Sequence, residues 1–228
     1  MKEWIKLTSD EIRDLDKDFP VIIPVGLVEA HGPHLPVSVD VDSCEYFARK
    51  VSEKTGAILA PVLPYGFSDE MREYPGSLGL TVDVFSRVIL DLCNNLCAQG
   101  FKKVIFFTGH GANKAPIELT FYKVWNNYPD FKGACWNWWS DCGITGIHHA
   151  DKGETEVAVA CGTPVYMDRV MDFTVEKPWY KIRSRYALDD VSGGINGKPS
   201  EADFENGVIL RDKAVEVLTK KVMQAIND

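Results

Sequence analysis

Three short apolar runs, each followed by a stretch with helical spacing, constrain this chain more than any other feature of its 228 residues. Residues 21–28, 57–63 and 104–108 are nearly continuous in aliphatic and β-branched side chains. A strand with one wet face alternates polar and apolar residues, whereas one buried on both faces does not. Such runs therefore predict parallel strands covered by helices, and residues 133–139 read as a further strand. Between them, Ser9 caps a short helix through Asp16, and residues 42–55 place Tyr46, Phe47 and Val51 on one side. Residues 82–98 form a helix ended by Gly100, residues 113–128 and 154–161 read as helices, and residues 207–226 close the chain amphipathically with Val208, Leu210, Val215, Leu218 and Val222. Strand and helix in alternation predict an α/β fold with helices on both faces of a mostly parallel sheet. No repeat or shift in composition marks a boundary, so one domain over residues 1–228 is expected.

The charge balance narrows the partners. With 25 basic and 33 acidic residues, the net charge is −8, which argues against binding nucleic acid, a mode that needs clustered Lys and Arg to displace counterions. The six cysteines, Cys44, Cys93, Cys97, Cys135, Cys142 and Cys161, form no CxxC pair. No signal peptide opens the sequence, and no apolar stretch approaches the ~20 residues of a bilayer span. A cytoplasmic protein without a membrane partner is the expectation.

Chemistry concentrates at strand ends. The segment EAHGPHLPVSVD, residues 29–40, follows the first run, and extended backbone puts Glu29 and His31 on one face. Asp40 can return to them after the Gly32-Pro33 turn. The same residues also suit plain structural work, Glu29 in a loop and Asp40 as a helix cap. His110 follows another run, in GHGAN, and in a parallel sheet ligands gather beyond the carboxyl ends of strands, so neighbouring strands would bring His110 to Glu29 and His31. Glu154, in HHADKGETE, is either a first-turn acid favoured by the helix dipole or a third carboxylate for this group. Three carboxylates and two imidazoles match two divalent cations with mixed nitrogen and oxygen ligands.

These segments, with the Tyr74-Pro75-Gly76-Ser77 turn and the late GGINGKPSEADFENG, resemble the creatininase (creatinine amidohydrolase) family in order and spacing over residues 21 to about 210. The resemblance implies an α/β three-layer sandwich and two divalent ions, Zn, Mn or Fe. It implies a metal-dependent hydrolase that cleaves a small cyclic amide or other non-peptide C–N bond through a hydroxide held by the two metals. Carried over, Glu29 and His110 hold one metal, His31 and Glu154 the other, and Asp40 bridges them. His149 becomes the acid/base group at the leaving nitrogen, and a homo-oligomer, commonly a hexamer, is implied. One departure bears on substrate: creatinine hydrolases of the family carry a glutamate two residues after the strand-end histidine, where this chain has Ala112. That widens the field to formamide deformylases, peptide-processing enzymes and a hydrolase that opens an oxidised inositol, a cyclic diketone, by C–C cleavage.

Other residues carry open readings. His34 either supports Glu29 or Asp40 as a hydrogen-bond partner or ties down the GPHLP turn. Trp136 and Trp138 share a strand face and either pack in the core or wall a ring-shaped substrate, with Asp141, Ser140 and Asn137 as polar partners. Residues 172–206 break the strand and helix rhythm. Their Lys177, Lys181, Arg183 and Arg185 are either a solvated face or a clamp for an anion or a subunit contact.

Overall fold

The computed structural model describes residues 1–68, 71–174 and 194–228. The basic side chains Lys177, Lys181, Arg183 and Arg185 lie outside the described residues. The five strands β1 (Lys2–Glu3), β2 (Val21–Val25), β3 (Ile58–Leu59), β4 (Lys103–Thr108) and β5 (Lys132–Asn137) form one sheet in the order β1-β3-β2-β4-β5. Every pairing in it is parallel. Its helices are α1 (Ser9–Arg13), α2 (Val39–Thr55), α3 (Val82–Ala98), α4 (Lys114–Asn127), α5 (Lys152–Cys161) and α6 (Phe204–Asn227).

The pleat sorts the core into two layers. Val21, Ile23 and Val25 of β2 and Val104 and Phe106 of β4 pack with Phe85 and Ile89 of α3 and Ile117 and Phe121 of α4. The alternate residues Ile22, Ile105 and Phe107 pack on the other side with Phe47 and Val51 of α2, Val157 of α5 and Leu218 and Val222 of α6. All five residues of β2 are buried, as expected of a strand covered on both faces. Helices thus flank the mostly parallel sheet in three layers.

Several boundaries move for identifiable reasons. Thr8, not Ser9, caps α1, because its hydroxyl accepts from the Glu11 amide while the Glu11 carboxylate accepts from the Thr8 amide. The second apolar run yields only Ile58–Leu59 as a strand, since Pro61 and Pro64 offer no amide protons to a ladder. The helix expected over residues 42–55 begins at Val39, which puts Asp40 in its first turn. Strand β1, two residues long, carries too little pattern to be read from sequence.

Two glycines let the first turn of α2 close on the ends of β2 and β4. A Cβ on Gly26 would lie 2.6 Å from the Val41 Cα, and one on Gly109 would lie 2.0 Å from the Asp40 carbonyl oxygen. Only at glycines can the ends of β2 and β4 close on this turn. Chain direction also reverses here, with α2 leading from β2 to β3 on one face and α4 leading from β4 to β5 on the other. A crevice at such a reversal is the usual place for a ligand in a parallel sheet.

Candidate metal centre

Three segments meet at that crevice: the stretch from β2 into α2, the chain after β4 and the start of α5. Strands β2 and β4 are neighbours in register, so Glu29 and His31 beyond β2 face His110 beyond β4. Asp40 enters from α2 and Glu154 from the first turn of α5. Glu29, His31 and Asp40 are buried to within 1% of full burial, and Glu154 is 8% exposed. The structure thus brings the five sequence-predicted ligands together.

Their geometry forms two groups that share Asp40. Nδ1 of His110 lies 2.9 Å from Oε1 of Glu29 and 3.2 Å from Oδ2 of Asp40. Nε2 of His31 lies 3.3 Å from Oδ1 of Asp40 and 3.4 Å from Oε2 of Glu154. Within each group the donor atoms lie within 4.8 Å of one another, and ligands about 2.0–2.2 Å from a tetrahedral ion stand at comparable spacing. A third group joins Glu29, His31 and His149.

The hydrogen bonds test whether cations fit. Nδ1 of His31 lies 3.1 Å from the Glu29 carbonyl oxygen, which only accepts, so Nδ1 carries the proton and a neutral ring turns a bare Nε2 toward two carboxylates. Both carboxylate oxygens of Glu29, Nε2 of His31 and Oδ2 of Asp40 are buried without a hydrogen-bond partner. Each unmet polar atom costs about 1–3 kcal/mol, and four in one place call for a compensating charge. Divalent ions satisfy all four, and the residues fit a two-ion centre.

Without cations, protons serve that purpose. Burial works against a charged His110, but Glu29 and Asp40 outweigh it and hold its pKa up at about 10. Burial likewise opposes the charge on His31, and Glu154 and Asp40 still raise its pKa well above the usual histidine value. Burial disfavours the ionised Asp40 and Glu154, yet His31 beside both and His110 beside Asp40 keep their pKa values below normal.

The surrounding chain sets these orientations. The Ala150 amide donates to Oε2 of Glu154 at 2.6 Å, from a residue held at a φ of 51°. Nε2 of His149 donates to the Ala30 carbonyl oxygen at 2.8 Å, and its Nδ1 faces Oε1 of Glu29 at 3.6 Å. The Ser77 hydroxyl oxygen of the YPGS turn accepts from the Ala30 amide. No sequence pattern marks the Ala30 carbonyl or the Ala150 amide, because any residue carries those groups.

His34 bonds neither Glu29 nor Asp40. Its Nε2 lies 3.1 Å from the Thr155 hydroxyl, which itself donates to the Asp151 carbonyl oxygen. It therefore ties the GPHLP turn to α5, one residue from Glu154, and burial lowers its pKa.

Of the two readings of the tryptophan pair, core packing fits the structure better than a substrate wall. Trp138 is 3% exposed and stacks on Phe47 in the core. Trp136 packs against Phe107 and beneath Lys221 of α6, and both oxygens of Asp141 bind Lys114 at 2.8 Å. Trp136 and Trp138 share a face, and that face packs into the layer of α2 and α6. The neighbouring Trp139 comes closer, since a Cβ on Gly111 would lie 3.6 Å from its ring.

A family model described as creatininase, creatinine amidohydrolase, matches residues 5–222. The chain belongs to the creatininase family. Creatinine amidohydrolase of Pseudomonas putida is 26% identical over 57% of this chain and 54% of its own length. A mycofactocin precursor peptide peptidase of Mycolicibacterium smegmatis is 30% identical over 41% of this chain and 40% of its own. A 3-dehydro-scyllo-inosose hydrolase of Thermotoga maritima is 31% identical over 46% of this chain and 34% of its own. The chain thus aligns to about half or less of the length of these relatives, which are hydrolases by name. A creatininase crystal structure matches the fold with a TM-score of 0.89 and 22% identity, covering 99% of this chain and 98% of that one. Solved creatininases include a Zn–Zn form and a Mn form, with TM-scores of 0.88 and 0.87. This member of the creatininase family carries the acid and imidazole groups that can hold such ions.

Proposed function

We propose that this chain is a metal-dependent hydrolase of a small cyclic amide or another non-peptide C–N bond, acting as one domain. The observation that carries the reading is the pair of buried donor groups joined at Asp40, with four polar atoms left open toward a common space. Glu29, Asp40 and His110 would hold one divalent ion, and His31, Asp40 and Glu154 the other. Such a pair supplies Lewis acidity toward a carbonyl and a water acidified toward neutral pH.

The chain's own residues account for the rest. Three carboxylates against two divalent ions leave one positive charge, which suits a site where a substrate oxygen gains negative charge. His149 manages the proton at the leaving nitrogen. As an imidazolium it carries protons on both nitrogens, Nε2–H toward Ala30 and Nδ1–H toward the centre. After Nδ1 gives its proton away, the remaining tautomer is the one the Ala30 carbonyl already holds. The His149 side chain is 24% exposed, so solvent can reload it.

The inosose hydrolase relative supports a second reading, in which the same residues open a cyclic diketone by C–C cleavage and His149 protonates the enolate carbon. Turnover of creatinine, a formamide and a diketo-inositol, assayed side by side after loading with Zn²⁺ or Mn²⁺, separates the two. We expect hydrolysis of a C–N substrate. Turnover of the diketo-inositol alone would replace the first reading with the second.

A further inference from the structure

Asn113 is fully buried and stands outside both donor groups, yet its side chain reaches three segments that build the centre. Nδ2 donates to the Gly26 carbonyl oxygen at 3.1 Å and to the Thr108 hydroxyl at 3.2 Å, and Oδ1 accepts from the Phe67 amide at 2.8 Å. Gly26 directly follows β2 and lies three residues before Glu29, Thr108 ends β4 two residues before His110, and Phe67 lies in the loop after β3. The amide orientation is forced, because only the oxygen can meet the Phe67 N–H.

Thr108 passes the restraint on. Its hydroxyl donates to the His110 carbonyl oxygen at 2.6 Å and accepts from the His110 amide at 3.1 Å and from Asn113. The one proton and both lone pairs of that hydroxyl are thereby used, and the His110 backbone is bracketed on two sides. No slack is available nearby, since a Cβ on Gly66 would lie 2.4 Å from both Oδ1 of Asn113 and the Gly26 carbonyl oxygen. Strand register fixes Val25 opposite Thr108, the Gly109 amide extends that pairing by donating to the Val25 carbonyl oxygen at 3.1 Å, and beyond this last backbone bond Asn113 links the two segments through Gly26 and Thr108.

We propose that Asn113, acting through Thr108, is a positioning residue that sets the separation of Glu29 and His110 and so tunes one of the two ion sites selectively. The inference rests on the two-ion reading above. Glu154 takes its orientation from the Ala150 amide, and neither it nor the His31 ring bonds Asn113 or Thr108, so this network reaches the second site only indirectly, through the Glu29 carbonyl oxygen that holds Nδ1 of His31.

The test is a stepwise titration of metal-free protein with Zn²⁺, followed by calorimetry, for wild type, Asn113→Asp, Thr108→Val and Thr108→Ser. Asn113→Asp keeps the acceptor for Phe67 and removes both donors. Thr108→Val removes the bracket while leaving Asn113 intact, in case the first variant fails to fold. In both, one of two binding steps is expected to weaken by about 10–100-fold, the usual effect of losing a residue that orients a ligand. The other step stays near its wild-type affinity, and Thr108→Ser restores both. Wild type that takes up no ion would overturn the two-ion reading itself. Folded variants that bind both ions as wild type does, or weaken both steps in parallel, would overturn the positioning role while leaving that reading intact.

Discussion

Asp40 carries the most weight of any single side chain, because each of its oxygens faces a different imidazole. Replacing it with alanine should remove both ions, whereas Glu154→Gln should remove only the one on the His31 side. Metal content of the folded variants checks this, and an Asp40→Ala protein that keeps two ions would show that the bridge is misassigned. His149 makes the opposite prediction. His149→Ala should keep its metal and lose about 10²–10⁴-fold in turnover, the usual contribution of a general acid, measured as kcat beside the metal content. The titrating groups give a third expectation. In the metal-free protein His110 is held up at about 10, so its stabilising share is complete below the ordinary histidine range near 6.5 and is lost as pH rises through about 10. The lowered Asp40 and Glu154 contribute the reverse, a stability present above the usual carboxylate range and lost as pH falls. Ions replace the imidazole protons, so metal uptake releases protons and strengthens as pH rises. The gap in Tm between metal-loaded and metal-free protein should therefore widen from pH 6 to pH 9, and a constant gap would contradict this.

At the scale of elements, the crevice depends on how α5 is braced. Glu156 is buried on α5 beside the ligand-bearing turn, and its two oxygens accept from the Asp203 amide and the Asn206 side chain at the start of α6. Gly207 then lets the helices touch, since a Cβ there would lie 2.2 Å from the Glu156 carbonyl oxygen. Glu156→Ala should lower stability by about 1–3 kcal/mol through the donors left unpaired, read from urea unfolding, and an unchanged midpoint would remove Glu156 from this role. The elements were mostly legible in the sequence, because continuous apolar runs and a 3.6-residue period survive without tertiary information: α3 has the expected limits, and β2 and β4 are the neighbours the strand-end argument required. The tight approach of α2 to the strand ends was not legible, as it depends on which backbone atoms meet Gly26 and Gly109. The place of Trp136 and Trp138 stayed open for a related reason, since alternation assigns them to a shared face without saying which layer covers it.

For the whole molecule, the architecture explains why so few residues do the chemistry. A sheet buried in three layers fixes the ends of β2 and β4, and the candidate ligands Glu29, His31 and His110 stand just beyond those ends while Asp40 and Glu154 come from the first turns of α2 and α5. Among the described residues no helix is long and apolar enough to cross a membrane. The net charge of −8 includes three carboxylates crowded into one buried crevice, an arrangement that costs energy unless cations, or protons on His31 and His110, balance it. The most direct measurement of the account is therefore the metal content of the wild-type chain after reconstitution with Zn²⁺ or Mn²⁺ and removal of loosely bound ions. Two ions per chain are predicted, with hydrolytic activity that disappears on chelation and returns on reloading; a folded protein that retains no ion and hydrolyses its substrate equally well without one would contradict the account.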